Sequence, residues 1–439
     1  MLNILLIGSG AREHAIARSI KKSSQQTKLF NYASNLNPGL VPLCEDISVN
    51  TGFNNQDILE YAKSHNPDFV FIGPEAPLEI GVTDTLEENG FCVIAPNKEL
   101  AQIETSKAFA RDLLFNKCPN VLPKYQKFTE CNEEVKQFLG ELQDQYVIKA
   151  DGLMGGKGVK ISGEHLHTHT EALDYCKEIL KKGQNFVIEE KLIGVEFSLM
   201  SFTDGKTLAH MPAVQDHKRA YIKDAGPNTG GMGSYTSADH KLPFLSNADI
   251  QRAREINEIT VRALNEKFNT AYKGILYGGF MKTCDGIKLI EYNARFGDPE
   301  VVNLLALLET DFVEICLAIK HEKLASIDVI FSKKASVCKY VVPNGYPTNP
   351  IKNQPIDTTQ VTDKNSIHYA SVAIKNKKYF MLGSRAIAVV AIANDIQYAE
   401  KQVEATIAKI SGEVFHRPDI ATQQLLDTYV QKMSDLTKS

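Results

Sequence analysis

Residues 146–162 read YVIKADGLMGGKGVKIS. An apolar run, Tyr146–Lys149, ends in a lysine; glycines 152, 155, 156 and 158 and a second lysine, Lys157, follow before a second run, Val159–Ser162. Glycine's tolerance of positive φ lets such a strand–loop–strand unit fold over a polyphosphate, with backbone N–H groups and lysine charges facing its oxygens. The GxxxxGK[ST] spacing of a Walker loop is absent, so this is a different phosphate-binding architecture. A helical pattern near 171–182 and an apolar run at 186–190 complete a compact α+β unit of about 70 residues.

Towards the N-terminus, NILLI (3–7) is a continuous apolar run that ends in Gly8-Ser9-Gly10, and a helical stretch, Arg12–Lys22, follows. Phe69–Ile72 ends in Gly73-Pro74-Glu75, and Phe91–Ala95 ends at Pro96. Apolar strands alternating with helices predict an open parallel α/β sheet over the first hundred or so residues. Ser106–Phe115 reads as a helix, broken afterwards by Pro119 and Pro123. From 191 to 325 strands and helices alternate, with glycine-rich turns expected at 226–233 and 278–279. Beyond Ser326 the chain is rich in β-branched residues and broken by Pro343, Pro347, Pro350 and Pro355, so a separate C-terminal domain is expected, with its last dozen residues fraying. No repeat or long low-complexity segment interrupts this order.

The 439 residues correspond to about three domains. A net charge of −4 argues against a dominant nucleic-acid or anionic-membrane surface. No apolar run approaches the roughly 20 residues of a membrane span, and Leu2–Gly8 is too short and lacks the basic flank of a signal peptide. The eight cysteines form no C-x-x-C pair, which excludes a zinc module or a disulfide scaffold and predicts reduced thiols in a cytoplasm. His165, His167 and His169 alternate with polar residues and have no acidic or cysteine partner nearby, which favours a solvated loop or edge over a metal site.

Four further motifs carry chemistry. Gly8-Ser9-Gly10-Ala11-Arg12-Glu13 starts as a dinucleotide fingerprint, but Glu13 stands where the third glycine belongs, which disfavours NAD or FAD; the turn still offers N–H groups to a phosphate, and Arg12 adds a bidentate donor. Glu189, Glu190 and Glu196 flank Gly194 and suit sugar hydroxyls or an exocyclic amine. In Leu289-Ile290-Glu291-Tyr292-Asn293-Ala294-Arg295-Phe296-Gly297-Asp298-Pro299-Glu300, strand periodicity predicts that Glu291, Asn293 and Arg295 share one face. Two hard oxygen ligands beside a cation suit Mg²⁺ held against phosphates, with Arg295 stabilising charge on the transferring group. Asp216-His217-Lys218-Arg219 and Thr229-Gly230-Gly231-Met232-Gly233 complete the set.

Taken in order, GSGAREHA, IGPEAPL, SKAF, VIKADGLMGGKG, VIEE, QDHKR, GPNTGGMG and IEYNARFGDPE make the chain, from residue 1 to about 420, resemble the phosphoribosylamine–glycine ligases of the ATP-grasp superfamily. The resemblance implies a multidomain α/β and α+β protein: an ATP-grasp fold with an N-terminal open parallel α/β sheet domain (1–103), a central domain (104–122 and 191–327), a lid (123–190) and a β-rich C-terminal domain (328–427). It also implies a ligase that activates glycine as glycyl phosphate and joins it to 5-phosphoribosylamine, with ATP as co-substrate, Mg²⁺ (or Mn²⁺) as cofactor, no nucleic-acid or membrane partner, and a cytoplasmic monomer.

By the same resemblance Lys107, Lys149, Gly155, Gly156, Lys157 and Gly158 contact ATP phosphates, and Glu189, Glu190 and Leu192 line the adenine. Glu196 takes the ribose hydroxyls, Glu291 and Asn293 carry the metal, and Lys149 and Arg295 are catalytic. Asp216, Lys218, Arg295, Gly297 and Asp298 contact amino acid or sugar phosphate, while Gly8, Gly10, Arg12, Glu13, Pro74 and Glu75 cradle the ribose 5-phosphate. Val301-Val302 stand where the family commonly carries Thr-Gln, which implies lost hydrogen bonds there. The strand before Glu291, Tyr277–Met281, brings no third acidic metal ligand. Two other readings compete with this one: an ATP-grasp ligase using another acid, and a silent nucleotide binder. QDHKR and GPNTGGMG favour the glycine-using branch, and the presence of every phosphate and metal residue favours turnover.

Overall fold

The computed structural model describes residues 1–154 and 158–438; the expected phosphate contacts Gly155, Gly156 and Lys157 lie outside the described residues. The N-terminal unit is a five-stranded parallel sheet of β1 (Leu2–Ile7), β2 (Thr27–Ala33), β3 (Asp46–Val49), β4 (Phe69–Ile72) and β5 (Val93–Ile94), in the order β3-β2-β1-β4-β5. Ile4–Ile7 and Phe69–Ile72 are buried throughout, as central strands covered on both faces must be. At the edge only Val93 and Ile94 of the expected run pair with β4. The strand order reverses at β1, so a ligand crevice opens beyond the carboxyl ends of β1 and β4. Gly8–Glu13, at the start of helix α1 (Ala11–Lys21), and Gly73–Glu75 sit at those ends.

A second unit, β6 (Tyr125–Phe128), β7 (Tyr146–Ala150), β8 (Val159–Ile161) and β9 (Phe186–Glu190), forms an antiparallel sheet in the order β6-β9-β7-β8. Helices Glu133–Leu142 and His169–Lys181 pack on it around a separate apolar core that includes Phe138, Ile148, Cys176 and Phe186. His165 and His167 lie in the loop between β8 and the second of these helices, and His169 opens that helix.

A third sheet joins β10 (Val195–Asp204) and β11 (Leu208–His210) to the strands Lys273–Thr283 and Gly286–Asn293. Gly278 and Gly279 lie inside the strand Lys273–Thr283, not in a turn. A Cβ at Gly278 would sit 2.4 Å from the Phe280 ring and 2.6 Å from Asn257 Oδ1, so close packing against the helix Asn247–Phe268, and no change of direction, explains that glycine. Gln215–Asp216 and Gly233–Thr236 leave this region and build a sheet with the C-terminal strands Ala335–Pro343, Ile387–Ala393 and Ile367–Tyr369. The C-terminal segment is therefore joined to the strand that carries Asp216 through one intervening strand, Gly233–Thr236. The chain's end does not fray as expected: Gln423–Lys438 is a helix that buries Leu425, Leu426 and Met433, because those residues recur on one helical face.

Candidate active site

Lys149, at the end of β7, is buried, with Nζ 2.7 Å from Glu189 Oε2 on β9. Glu189 is gripped from the other side by Arg111, whose Nε donates to Oε1 at 2.7 Å and Nη2 to Oε2 at 2.9 Å. The same Nη2 donates to the Ile290 carbonyl at 2.7 Å, and Lys149 Nζ reaches that carbonyl at 3.3 Å. Burial alone would raise the Glu189 carboxyl, but Arg111 and then Lys149 outweigh it and hold the group down at about 2. The Glu189 carboxylate is thus committed to these two cations, and any contact it makes with adenine must use its backbone. Glu190 is similarly engaged: its carboxylate accepts from Lys124 N at 3.1 Å. Leu192 lies in the short connection from β9 to β10.

Asp151, just past β7, caps the helix Lys107–Phe115, accepting from Lys107 N at 2.6 Å and Ala108 N at 3.2 Å. A carboxylate at a helix N-terminus satisfies orphan N–H groups and complements the dipole. Lys107 Nζ donates to the Gly152 carbonyl at 2.9 Å. Lys107 and Lys149, two of the three predicted phosphate lysines, are therefore anchored at the mouth of the glycine loop, whose far end, Gly158, packs against Met154: a Cβ there would meet that side chain at 2.5 Å.

On the third sheet Glu291 and Asn293 occupy alternate positions of Gly286–Asn293. The strand ends at Asn293, so Arg295 does not share its face by periodicity, because the chain bends beyond Ala294. Its guanidinium nonetheless folds back, with Nη2 3.3 Å from Asn293 Oδ1. Lys218 Nζ lies 3.4 Å from Glu196 Oε2 and 3.8 Å from Glu291 Oε1, tying the predicted ribose and metal residues together. Burial raises the Glu291 carboxyl, yet Lys218, Lys149 and Lys107 bring it below the usual carboxylate range. Asp216 goes the other way: burial outweighs Lys218 and lifts it to about 7. Glu300 is buried and accepts from Tyr277 Oη at 2.9 Å.

Arg295 is held between two carboxylates, with Nη2 2.9 Å from Glu104 Oε1 and Nε 3.3 Å from Glu75 Oε2. Glu104 also accepts from Ala294 N at 2.7 Å. Arg12 approaches Glu75 at 3.9 Å and donates to the Phe296 carbonyl at 3.1 Å, so the first sheet's crevice opens onto the third sheet. Burial would raise the Glu75 carboxyl, but Arg295 and Arg12 pull it down to about 2. Glu13 corrects the phosphate-cradle expectation for its own turn. Its carboxylate accepts from Gly10 N at 2.5 Å and from Arg12 Nε at 2.7 Å, filling the position an anion would take at the start of α1. Gly8, at φ 114°, makes room for it: a Cβ there would lie 2.8 Å from Glu13 Cδ and from Pro74 Cδ.

Asp298 is fixed by residues without a sequence motif. Tyr340 Oη donates to its Oδ1 at 2.5 Å, and Arg385 Nη2 lies 3.2 Å from Oδ2. Arg385 Nη1 also donates to the carbonyls of Gly230 (2.6 Å), Gly231 (3.0 Å) and Asp298 (2.9 Å), and its guanidinium stacks 4.3 Å from the Tyr340 ring centre. One C-terminal arginine thus joins the GGMG turn to the GDP loop. Gly297 has no room for a side chain, since a Cβ would lie 2.6 Å from Tyr277 and 2.7 Å from Glu300. Val301 and Val302 are buried in the helix Glu300–Leu307, so those positions pack into the core and leave no unmatched polar group.

Arg111, Glu104, Tyr340 and Arg385 lie outside every motif. Only Arg111 has a local signal: it sits between Ala110 and Leu114 on the buried face of its helix, where an arginine requires a buried partner. Among the described residues no group of three or more His, Cys, Asp or Glu side chains is placed to hold a metal. A two-oxygen set from Glu291 and Asn293 fits a hard cation that takes its remaining ligands from phosphates and water.

The descriptions "Phosphoribosylglycinamide synthetase, N domain", "ATP-grasp (A) domain" and "C domain" match residues 2–104, 105–301 and 336–423. A protein of Methanocaldococcus jannaschii named phosphoribosylamine–glycine ligase is 48% identical over 446 aligned residues, covering 100% of both chains. One of the same name from Methanosarcina barkeri is 47% identical, covering 99% of this chain and 100% of its own. The crystal structure of phosphoribosylamine–glycine ligase from Thermotoga maritima superposes with a TM-score of 0.79 at 28% identity, covering 95% of this chain and 100% of that one. A biotin carboxylase from Campylobacter jejuni, at 14% identity and TM-score 0.72 over 99% of this chain and 95% of its own, shares the fold.

Proposed function

The chain belongs to the phosphoribosylglycinamide synthetase family, and on that premise we propose how its residues join glycine to 5-phosphoribosylamine with ATP. As a ligase of this family it forms a carbon–nitrogen bond in purine biosynthesis. In the proposed course a glycine carboxylate oxygen attacks the γ-phosphorus, giving glycyl phosphate and ADP. The amine of 5-phosphoribosylamine then attacks the acyl carbon; the carbon–oxygen bond to phosphate breaks, the amide forms, and a proton leaves the nitrogen. No protein nucleophile is needed, and positioning with electrostatic stabilisation carries the rate.

The observation that carries this reading is the convergence of three cation–carboxylate groups where the three regions meet. Lys149, aligned by Glu189 and Arg111, and Lys107, anchored by Gly152, face the ATP phosphates from the lid side. Glu291 and Asn293 hold Mg²⁺, which when bound offsets phosphate charge. Lys218 bridges that pair to Glu196, which takes the nucleotide ribose. Arg295, whose fork is steadied by Glu75 and Glu104, lends its charge to the acyl phosphate. Asp216 and Asp298 contact the amino acid or sugar phosphate, with Arg12 at the crevice mouth. The 123–190 lid closes over the nucleotide as one unit, and the 328–427 segment completes the acceptor side through Arg385. We also take the chain as a cytoplasmic monomer.

Phosphate release from Mg·ATP, with phosphoribosylamine generated in situ and each component omitted in turn, tests the function. Release that requires both glycine and the amine supports it; release indifferent to glycine points to another acid substrate.

A further inference from the structure

A cleft of about 790 Å³ lies away from the site above, between the later turns of α1, the 38–43 loop and strands of the C-terminal region. Its helix residues run down α1 from His14 to Lys22. At 1.5 Å per residue, Lys22 stands about 15 Å along the axis from Arg12, which belongs to the catalytic crevice. The lining carries Arg18, Lys21, Lys22, Lys364, Lys377 and Lys378 against one carboxylate, Asp357, in a chain whose net charge is −4. Asp357 is itself occupied by Thr359 N at 2.8 Å.

Three of these cations are tied to backbone carbonyls: Arg18 to Lys364 and Asn365, Lys364 to Thr358, and Lys21 to Thr27. Lys22, Lys377 and Lys378 make no side-chain hydrogen bond or ion pair among the described residues. Lys21 and Lys22 also complement the end of the α1 dipole, but that does not account for Lys377 and Lys378. They come from the turn and strand of a separate hairpin, Val372–Lys375 and Lys378–Met381, and face the same cleft. Like charges gathered around one concavity repel unless an anion lies among them.

The floor adds a second observation. His14 is buried, and its Nδ1 accepts from Tyr369 N at 3.0 Å, so the ring proton of the neutral imidazole is on Nε2. That N–H has no partner among the described residues, and His14 lines the cleft. Gly39 leaves space for the ring, since a Cβ there would lie 1.9 Å from His14 Cε1. Beside it Pro42, Leu43 and Tyr379 supply apolar and aromatic surface. A volume of this size, an apolar floor and a few convergent donors are the features of a small-ligand site.

We propose that this cleft binds a phosphate monoester with a planar body, the chemistry of a nucleoside monophosphate. Its phosphate sits among Lys22, Lys377 and Lys378, and its planar body lies against Tyr379 and Pro42.

Titration calorimetry with uridine 5′-monophosphate tests this, at low ionic strength where exposed charges act fully. The catalytic site is filled beforehand with glycine and a Mg²⁺ complex of a non-hydrolysable ATP analogue. One saturable binding event is expected, displaced by inorganic phosphate and weakened about tenfold or more when Lys22→Gln, Lys377→Gln and Lys378→Gln are combined. These lysines are exposed and outside the catalytic set, so the triple variant should keep its thermal midpoint and its glycine-dependent phosphate release, which shows that it is folded. Absence of binding to the native chain overturns the proposal. So does binding that survives in the folded triple variant, because the nucleotide then sits elsewhere.

Discussion

Arg111 and Glu189 form a two-pronged ion pair across 78 residues of sequence, with N–O distances of 2.7 and 2.9 Å, and both side chains are buried. The pair's second acid oxygen lies 2.7 Å from Lys149 Nζ. Desolvating two charges weakens the net stabilisation of such a pair, but removing one partner strands the other. In the proposed reaction its contribution is direction, since it leaves the Lys149 ammonium one place to stand.

Arg111→Met therefore leaves Glu189 with Lys149 alone. We expect a loss of about 3–5 kcal/mol in stability and a raised KM for ATP, as Lys149 is drawn wholly to the carboxylate. Arg111→Lys, which lacks the planar fork, should recover part of the stability and little of the ATP affinity. Chemical unfolding and ATP saturation curves check both.

The same pair sets an acid-side signature. The Glu189 carboxyl sits at about 2 in the folded chain against an ordinary 4.5. Its contribution is therefore fully present above about 4.5 and is lost as pH falls through about 2. The difference in thermal midpoint between native chain and Glu189→Gln should be widest near neutrality and shrink steadily below pH 4.5. A constant difference would detach Glu189 from the cations.

Arg385→Lys should act on the acceptor half of the reaction. A single ammonium cannot serve the Gly230, Gly231 and Asp298 carbonyls, the Asp298 carboxylate and the Tyr340 ring together. We expect glycine-dependent turnover to fall roughly 100-fold through displacement of the loops, with the KM for ATP little changed. Steady-state kinetics with each substrate varied in turn separates these effects.

Glu291→Ala should abolish turnover, by at least about 100-fold, with an unchanged thermal midpoint in the absence of nucleotide, because the side chain is 35% exposed and, among the described residues, is ion-paired with Lys218 alone. Arg295→Lys should instead cost both stability and rate, since its fork reaches Glu104, Glu75 and Phe296 at once. Paired activity and melting measurements tell the two behaviours apart.

The parallel sheet was legible because its strands are unbroken apolar runs that stop at glycines, and the residues proposed for phosphate and metal stand out because they lie within short motifs. The rest depends on contacts between residues far apart in sequence. Glu104 meets Ala294 across 190 residues, and Arg385 meets Asp298 across 87. No spacing rule announces such pairs. Glu13 misled for a different reason. Its place in the pattern calls for a small residue, whereas the structure uses the carboxylate itself to fill the turn and satisfy Gly10 N. Gly278-Gly279 looked like a turn because a glycine required by packing inside a strand and one required by a turn look alike in sequence.

The passage of an oxygen atom from glycine to phosphate tests the central claim most directly. With glycine carrying ¹⁸O in both carboxylate positions, turnover through glycyl phosphate transfers one labelled oxygen to each inorganic phosphate released, read by mass spectrometry. Phosphate released at the normal rate without label would contradict the account, because the carboxylate would then never have attacked the γ-phosphorus.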